Sequence, residues 1–200
     1  MASTRTRMSP DLRKEQLLDL GLQLLSTRSL EELSIDLLAE KAGISRGLLY
    51  HYFGNKQDFH LAVVRRAADE VIRVTEPGSA GTALERLAGS LEAYVDYVLA
   101  NYEGYSSLVR GAASGNPALR EIYEETRAAL TDRIFATAGR DGLVELGVTD
   151  TPAVRLMARG WSALTEETVL EWVRGGCEVP KDELLRLLTA ALPAVLRGSL

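Results

Sequence analysis

A chain of 200 residues, 46% of them hydrophobic, can bury a sizeable core, and its length suits a small domain followed by a larger one. Its net charge of −5 does not exclude a polyanionic partner, because charge is unevenly placed: residues 1–66 hold ten Lys and Arg against eight Asp and Glu, and residues 67–200 hold 13 against 20. One cysteine, Cys177, excludes an internal disulfide, and no apolar run approaches the roughly 20 residues of a membrane span or the core of a signal peptide, so a cytoplasmic protein with no membrane partner is expected.

Residues 1–8 are polar, carry Arg5 and Arg7, and read as a flexible basic arm. Ser9 and Pro10 then open a helix as cap and first-turn proline, and Leu17, Leu20, Gly21, Leu24 and Leu25 give it an apolar stripe ending near Thr27. After a short connection, Ser34 is placed to cap a second helix in which Ile35, Leu38, Ala39 and Ala42 share one side. Gly43 is placed to end it, Ile44 to turn back into the core, and Ser45 to cap a third helix from Arg46 to Phe53. Two short helices joined by a tight turn follow the pattern of a helix-turn-helix.

The third helix is too short to stand alone, so Leu49, Tyr52 and Phe53 must hold it against its neighbours. That leaves Arg46, Gly47, Leu48, Tyr50 and His51 at its start or on its other side. These residue types suit a DNA groove: a guanidinium for guanine or phosphate, a glycine for close approach, and hydroxyl and imidazole donors for phosphate oxygens. Asn55 caps the next helix, with Lys56 in its first turn beside free N–H groups that can share a phosphate. With the caps Ser34 and Ser45, the expected DNA-contacting set is Ser34, Ser45, Arg46, Gly47, Leu48, Tyr50, His51 and Lys56.

The segment AGISRGLLYHYFGNK resembles the signature of TetR-family transcriptional regulators: an alanine-glycine turn, a Leu-Tyr-x-x-Phe recognition helix, and a lysine shortly after. The resemblance covers about residues 11 to 66. Leu48 stands where the family often has a small or polar residue, and Ser29 near a common glycine. The resemblance implies an N-terminal three-helix DNA-binding unit, a variable helical domain that takes a small molecule, and dimerisation through the last two long helices. It also implies a regulator that is most often a repressor, bound as a dimer to a palindromic double-stranded operator.

The Asn55 helix is expected to run to about Thr75, where Glu76-Pro77-Gly78-Ser79 must break it. From Leu84 to Tyr102, apolar residues recur at three and four over five turns. Further helices are expected at roughly Tyr105 to Ser114, Pro117 to Arg140, Thr151 to Arg174 and Lys181 to Arg197. No stretch alternates like a strand. The expected fold is all-α with about nine helices, divided into a helix-turn-helix domain at 11–71 and a ligand-binding and dimerisation domain at 72–200.

No catalytic or metal site is expected. Both histidines, His51 and His60, lie in the N-terminal third, and no Gly-rich phosphate loop appears. The aromatics of the second domain could fill a core or line a cavity. Tyr94, Val98, Tyr102, Trp161 and Thr165 are the candidate lining for a mainly apolar ligand, with no cofactor implied. Glu166 or Glu167 lies in an otherwise apolar stretch; a buried one would need a partner from Arg110, another side chain or a ligand. Met157, Trp161, Leu164, Leu185, Leu188 and Leu192 offer apolar surface for a two-fold dimer.

Overall fold

A computed structural model describes residues 9–197; the basic arm expected at 1–8 lies outside the described residues. Nine α-helices and no strand are found among them: α1 Pro10–Leu25, α2 Ile35–Ala42, α3 Arg46–Phe53, α4 Lys56–Val74, α5 Ala83–Ala100, α6 Tyr102–Ala113, α7 Pro117–Glu145, α8 Pro152–Arg174 and α9 Lys181–Arg197. Polar side chains start the first four as their positions dictate, for the hydroxyl or amide oxygen of Ser9, Ser34, Ser45 and Asn55 each accepts a first-turn N–H. Each such cap contributes about 1 kcal/mol.

Two boundaries differ from expectation. The amphipathic run to Tyr102 breaks at Asn101, whose side-chain amide donates to the Tyr97 carbonyl, so Tyr102 begins α6 and does not close α5. In α7, Gly139 takes the non-helical φ 59°, ψ −172° and divides the element at a kink, next to the end expected at Arg140; a second helical segment, not expected, runs on to Glu145. A glycine supplies that backbone conformation without a Cβ penalty, so one helical segment can end there and the next begin at an angle to it.

Apolar side chains gather into two clusters. The first joins Leu17, Leu25, Leu33, Leu38, Leu49, Phe53, Phe59 and Val63 from α1 to α4 and the intervening loop, and takes in Leu119 and Ile122 from α7. Helices α1 and α4 approach closely at Gly21, where a Cβ would lie 2.6 Å from a Val63 methyl. A second close contact ties α6 to the end of α1: a Cβ on Gly104 would sit 2.5 Å from the Leu25 carbonyl oxygen. Nearby, the Ser107 hydroxyl accepts the Leu30 N–H at 2.9 Å and donates to Glu31 at 2.8 Å.

The second cluster packs α5, α7, α8 and α9 around Val95, Val98, Phe135, Val154, Trp161, Val169, Leu188 and Leu192. Three residues expected to offer dimer surface are instead consumed here. Trp161, Leu188 and Leu192 are buried within the protomer, and the Trp161 indole donates to the Leu188 carbonyl at 3.0 Å, fastening α8 to α9. Leu185 is half-buried, whereas Met157 and Leu164 are exposed, joined by Leu156 and Leu187, which the sequence pattern did not single out.

Candidate functional site

Helices α2 and α3 meet through a tight turn. Gly43 takes φ 62°, ψ 37°, its N–H returns to Glu40, and the Ile44 N–H returns to Ala39 at 3.0 Å, which satisfies the last carbonyls of α2 and directs Ile44 toward the core. Leu49 and Phe53 anchor α3 in the first cluster, and Tyr52 packs on its edge. Arg46, Gly47, Tyr50 and His51 are exposed on the remaining surface with Ser45 and Lys56, while Leu48 and Ser34 are half-buried. Ser34 and Ser45 spend their oxygens as caps on Leu37 and Leu48 N–H groups. Arg46 forms an ion pair with Asp36 in the first turn of α2, both side chains more than half exposed.

His60, by contrast, faces inward: its Nε2 lies 2.6 Å from the Leu33 carbonyl and so carries the proton, and burial pulls its pKa below the usual imidazole value. It braces α4 against the loop before α2. The N-terminal unit thus exposes a face built on α3 and the start of α4, with a helix N-terminus and five hydroxyl, imidazole or cationic side chains, Ser45, Arg46, Tyr50, His51 and Lys56. A face of this kind on a helix-turn-helix is suited to a nucleic-acid backbone and groove.

In the larger half, a partly open cavity of about 130 Å³ lies among α5, α7, α8 and α9. Tyr94, Trp161 and Thr165 line it, with Leu87, Leu91, Leu130 and Ile134. Val98 and Tyr102 do not: Val98 is wholly buried in the second cluster, and Tyr102 sits past the Asn101 break at the head of α6. Exposed Leu84 and half-buried Pro77 and Leu146 mark its mouth, and the buried Trp161, Thr165 and Glu166 its floor.

Glu166, not Glu167, is the buried acid, and its partners are phenols, not Arg110. Tyr105 donates to Oε1 at 2.9 Å and Tyr123 to Oε2 at 2.5 Å; Tyr94 and Tyr105 hydroxyls lie 3.0 Å apart, and Arg127 donates to Tyr123 at 3.1 Å. Burial first, then the Glu166 charge, pushes the Tyr94 phenol well above its usual range; burial also dominates for Tyr105. Burial and the Glu166 hydrogen bond raise Tyr123 to about 12. All three phenols therefore stay protonated and act as donors. Sequence reasoning missed Tyr105, Tyr123 and Arg127 as a group because they come from α6 and α7 at unrelated spacings, and only the fold brings them to α8.

Among the described residues no group of His, Cys, Asp and Glu is placed to hold a metal, and no helix is long and apolar enough to cross a membrane. An all-α chain with a capped helix-turn-helix, an exposed basic and hydroxyl-bearing α3 face and a second helical domain enclosing a cavity defines a helix-turn-helix transcriptional regulator. Residues 17–63 match the family described as bacterial regulatory proteins, tetR family, and residues 84–194 match the Tetracyclin repressor-like, C-terminal domain. The chain belongs to the TetR family of DNA-binding transcriptional regulators.

It is 34% identical to a tetR-family transcriptional regulator from Streptomyces coelicolor of known crystal structure, with a TM-score of 0.81 over 96% of this chain and 83% of that one. It is also 25% identical over 178 residues to the HTH-type transcriptional activator FasR of Mycolicibacterium smegmatis, covering 88% of this chain and 79% of that protein. The fold is shared by the regulator FadR of Bacillus subtilis, solved in complex with stearoyl-CoA, at 18% identity and a TM-score of 0.63 over 93% of this chain and 98% of that one.

Proposed function

We propose that the chain is a ligand-responsive repressor that binds a palindromic operator as a two-fold dimer and leaves it when a mainly apolar small molecule enters the α5–α9 cavity. The observation that carries this is the link between cavity and DNA-binding unit at Arg133. This cavity-lining side chain of α7 donates to the Ile72 carbonyl at 2.7 Å and to the Thr75 hydroxyl at 3.3 Å, at the C-terminal end of α4. The opposite end of α4 begins at Lys56, beside the recognition helix. A ligand that shifts Arg133 tilts a helix whose far end sets the separation of the two recognition helices. To act it must prefer the released conformation, and a preference of about 2.7 kcal/mol corresponds to about a hundredfold in DNA affinity.

The division into 11–71 and 72–200 belongs to the same proposal: the first segment holds the DNA contacts, and the second holds the cavity and the dimer surface. Ser45, Arg46, Gly47, Leu48, Tyr50, His51 and Lys56 are the assigned DNA contacts, with Ser34 at the head of α2. Lys56 stands at the start of α4 with a free side chain on a surface of phosphate-compatible donors. Lys56→Ala should therefore weaken all DNA sequences alike and lower the salt slope of binding by about one unit, as measured by fluorescence anisotropy across ionic strengths.

For the dimer, Leu156, Met157 and Leu164 with Gly160 are exposed on α8, and Leu187 with Ala190 on α9, the helix that Trp161 fastens to it. Such a surface on two fastened helices is self-complementary across a two-fold axis. The recognition helices of the DNA-bound dimer should then stand about 34 to 36 Å apart, one turn of B-DNA. Leu164→Arg should give a monomer by light scattering that keeps its helical content by circular dichroism, because the residue is 50% exposed in the protomer, with a thermal midpoint that no longer rises with protein concentration, and operator binding should fall with the dimer.

The central test is salt-sensitive binding to a DNA palindrome from the gene's own upstream region, followed by transcription of a reporter with and without the protein. Higher transcription without the protein supports repression. Lower transcription supports activation, the sign carried in the name of the Mycolicibacterium smegmatis relative.

A further inference from the structure

The cavity is apolar along its sides but not at its floor. Thr165 is 4% exposed, lines the cavity, and its hydroxyl has no hydrogen-bond partner among the described residues. The Ser90 hydroxyl on α5 is buried in the same lining and likewise unpartnered. A buried hydroxyl left unpaired is destabilising, so two of them in one cavity lining, from α5 and α8, point to an occupant that pairs with them. Glu166, next to Thr165 in the chain, lines the same cavity, and its two oxygens each accept one phenol and each retain a second lone pair.

The cationic groups of the lining are turned to other tasks. Arg127 donates to Tyr123 and to the Arg159 carbonyl, and Arg133 donates to Ile72 and Thr75 at the end of α4. The groups left to meet a head group are therefore two hydroxyls and the Glu166 carboxylate; a head seated against that carboxylate must donate, while Arg127 and Arg133 keep their positive charge in the same lining. A terminal methyl group seated there would leave both hydroxyls unpaired and the remaining lone pairs of Glu166 unused.

Resting on the assignment of this cavity as the effector site, we infer that it selects an amphipathic molecule whose head group donates hydrogen bonds and carries no negative charge, an aliphatic alcohol or a protonated aliphatic amine. The head lies against Thr165, Ser90 and Glu166, and the chain lies along Leu87, Leu130 and Ile134. The carboxylate of Glu166 accepts the donor, and the two hydroxyls complete its shell. Specificity comes from the floor, because the aliphatic walls accept any chain of suitable length.

The experiment compares 1-octanol, octylamine and octanoate, which share a chain and differ in the head, by calorimetric titration of the full-length protein at pH 7.5. Octanol and octylamine are expected to bind at least tenfold more tightly than octanoate. Thr165→Val, which keeps the shape and removes the hydroxyl, should weaken octanol about fivefold, the equivalent of one hydrogen bond of about 1 kcal/mol. Glu166→Gln should cut the octylamine preference and bring octanoate within about threefold of the amine. Octanoate binding as tightly as octanol to the wild-type protein overturns the inference while leaving the cavity assignment intact, and this outcome requires no variant to fold. If none of the three binds, and Leu130→Trp, which fills the cavity, leaves induction in cells unchanged, the cavity assignment itself falls.

Discussion

Phe59→Ala should destabilise the protein by about 3 to 5 kcal/mol, the cost of a large buried aromatic removed from a packed core. The side chain is wholly buried, meets Phe53 edge-to-face with ring centres 5.1 Å apart, and fills the space left by Gly21 between α1 and α4. It thus supports three helices at once: α4 that bears it, α1 behind it, and α3 through Phe53. For a chain of this size the loss lowers the thermal midpoint by roughly 6 to 20 °C. Operator affinity should fall with it, because α3 has little stability apart from its anchors. Leu12→Ala, at a side chain 60% exposed, is the control and should change stability by no more than about 0.5 kcal/mol. Urea unfolding followed by circular dichroism measures both.

Arg46→Ala should cost about 1 to 3 kcal/mol of operator affinity, about 5- to 160-fold, and relax sequence preference at the base pair it faces. Its guanidinium stands at the first position of α3 and is held by Asp36 across the helix-turn-helix. Because both partners are exposed, that ion pair contributes at most about 1 kcal/mol and yields readily to guanine or phosphate. Asp36→Asn should have the opposite sign: it frees the guanidinium and removes an anion from the DNA-facing surface, so affinity rises for all sequences and discrimination declines. Competition binding against a panel of single-base operator variants separates the two effects. Equal affinity of Arg46→Ala and wild type across the panel would remove Arg46 from the interface.

What could be read from the chain was local. Ser34, Gly43, Ser45 and Asn55 act through their own backbone neighbours, within three or four residues, so the helix-turn-helix boundaries are visible without knowledge of the tertiary fold. The Asn101 break was hidden because the apolar period runs straight through it; the helix ends there without any glycine or proline, through a side-chain amide that returns to Tyr97. Periodicity also could not apportion the apolar faces of α8 and α9. Trp161 and Leu164 stand three residues apart on one helix, yet the first closes the protomer's own core and the second is exposed. Which stripe faces α5 and which faces outward depends on how α9 docks. Glu166 or Glu167 stands out in the sequence as an acid in an apolar setting, but which one is buried is not visible there, because the phenolic partners of Glu166 arrive from positions 43 and 61 residues away, at separations that carry no pattern.

The close approach of α6 to α1 has a consequence for how this gene tolerates variation. At Gly104 the atom in the way is a main-chain oxygen, so no neighbouring rotamer change can make room for even a methyl group. In a deep mutational scan scored by reporter output, position 104 should tolerate no substitution and look like a binding residue, although it lies on α6, outside the α3 face and outside the lining of the α5–α9 cavity, bordering only a smaller one of about 50 Å³. Exposed Gly160, where an added Cβ meets nothing within 4 Å, should accept alanine in the isolated protomer and show constraint only through the proposed α8–α9 dimer contact. The two glycines would thus report on different selective pressures: one on the internal joint of a subunit, the other on the fit between subunits.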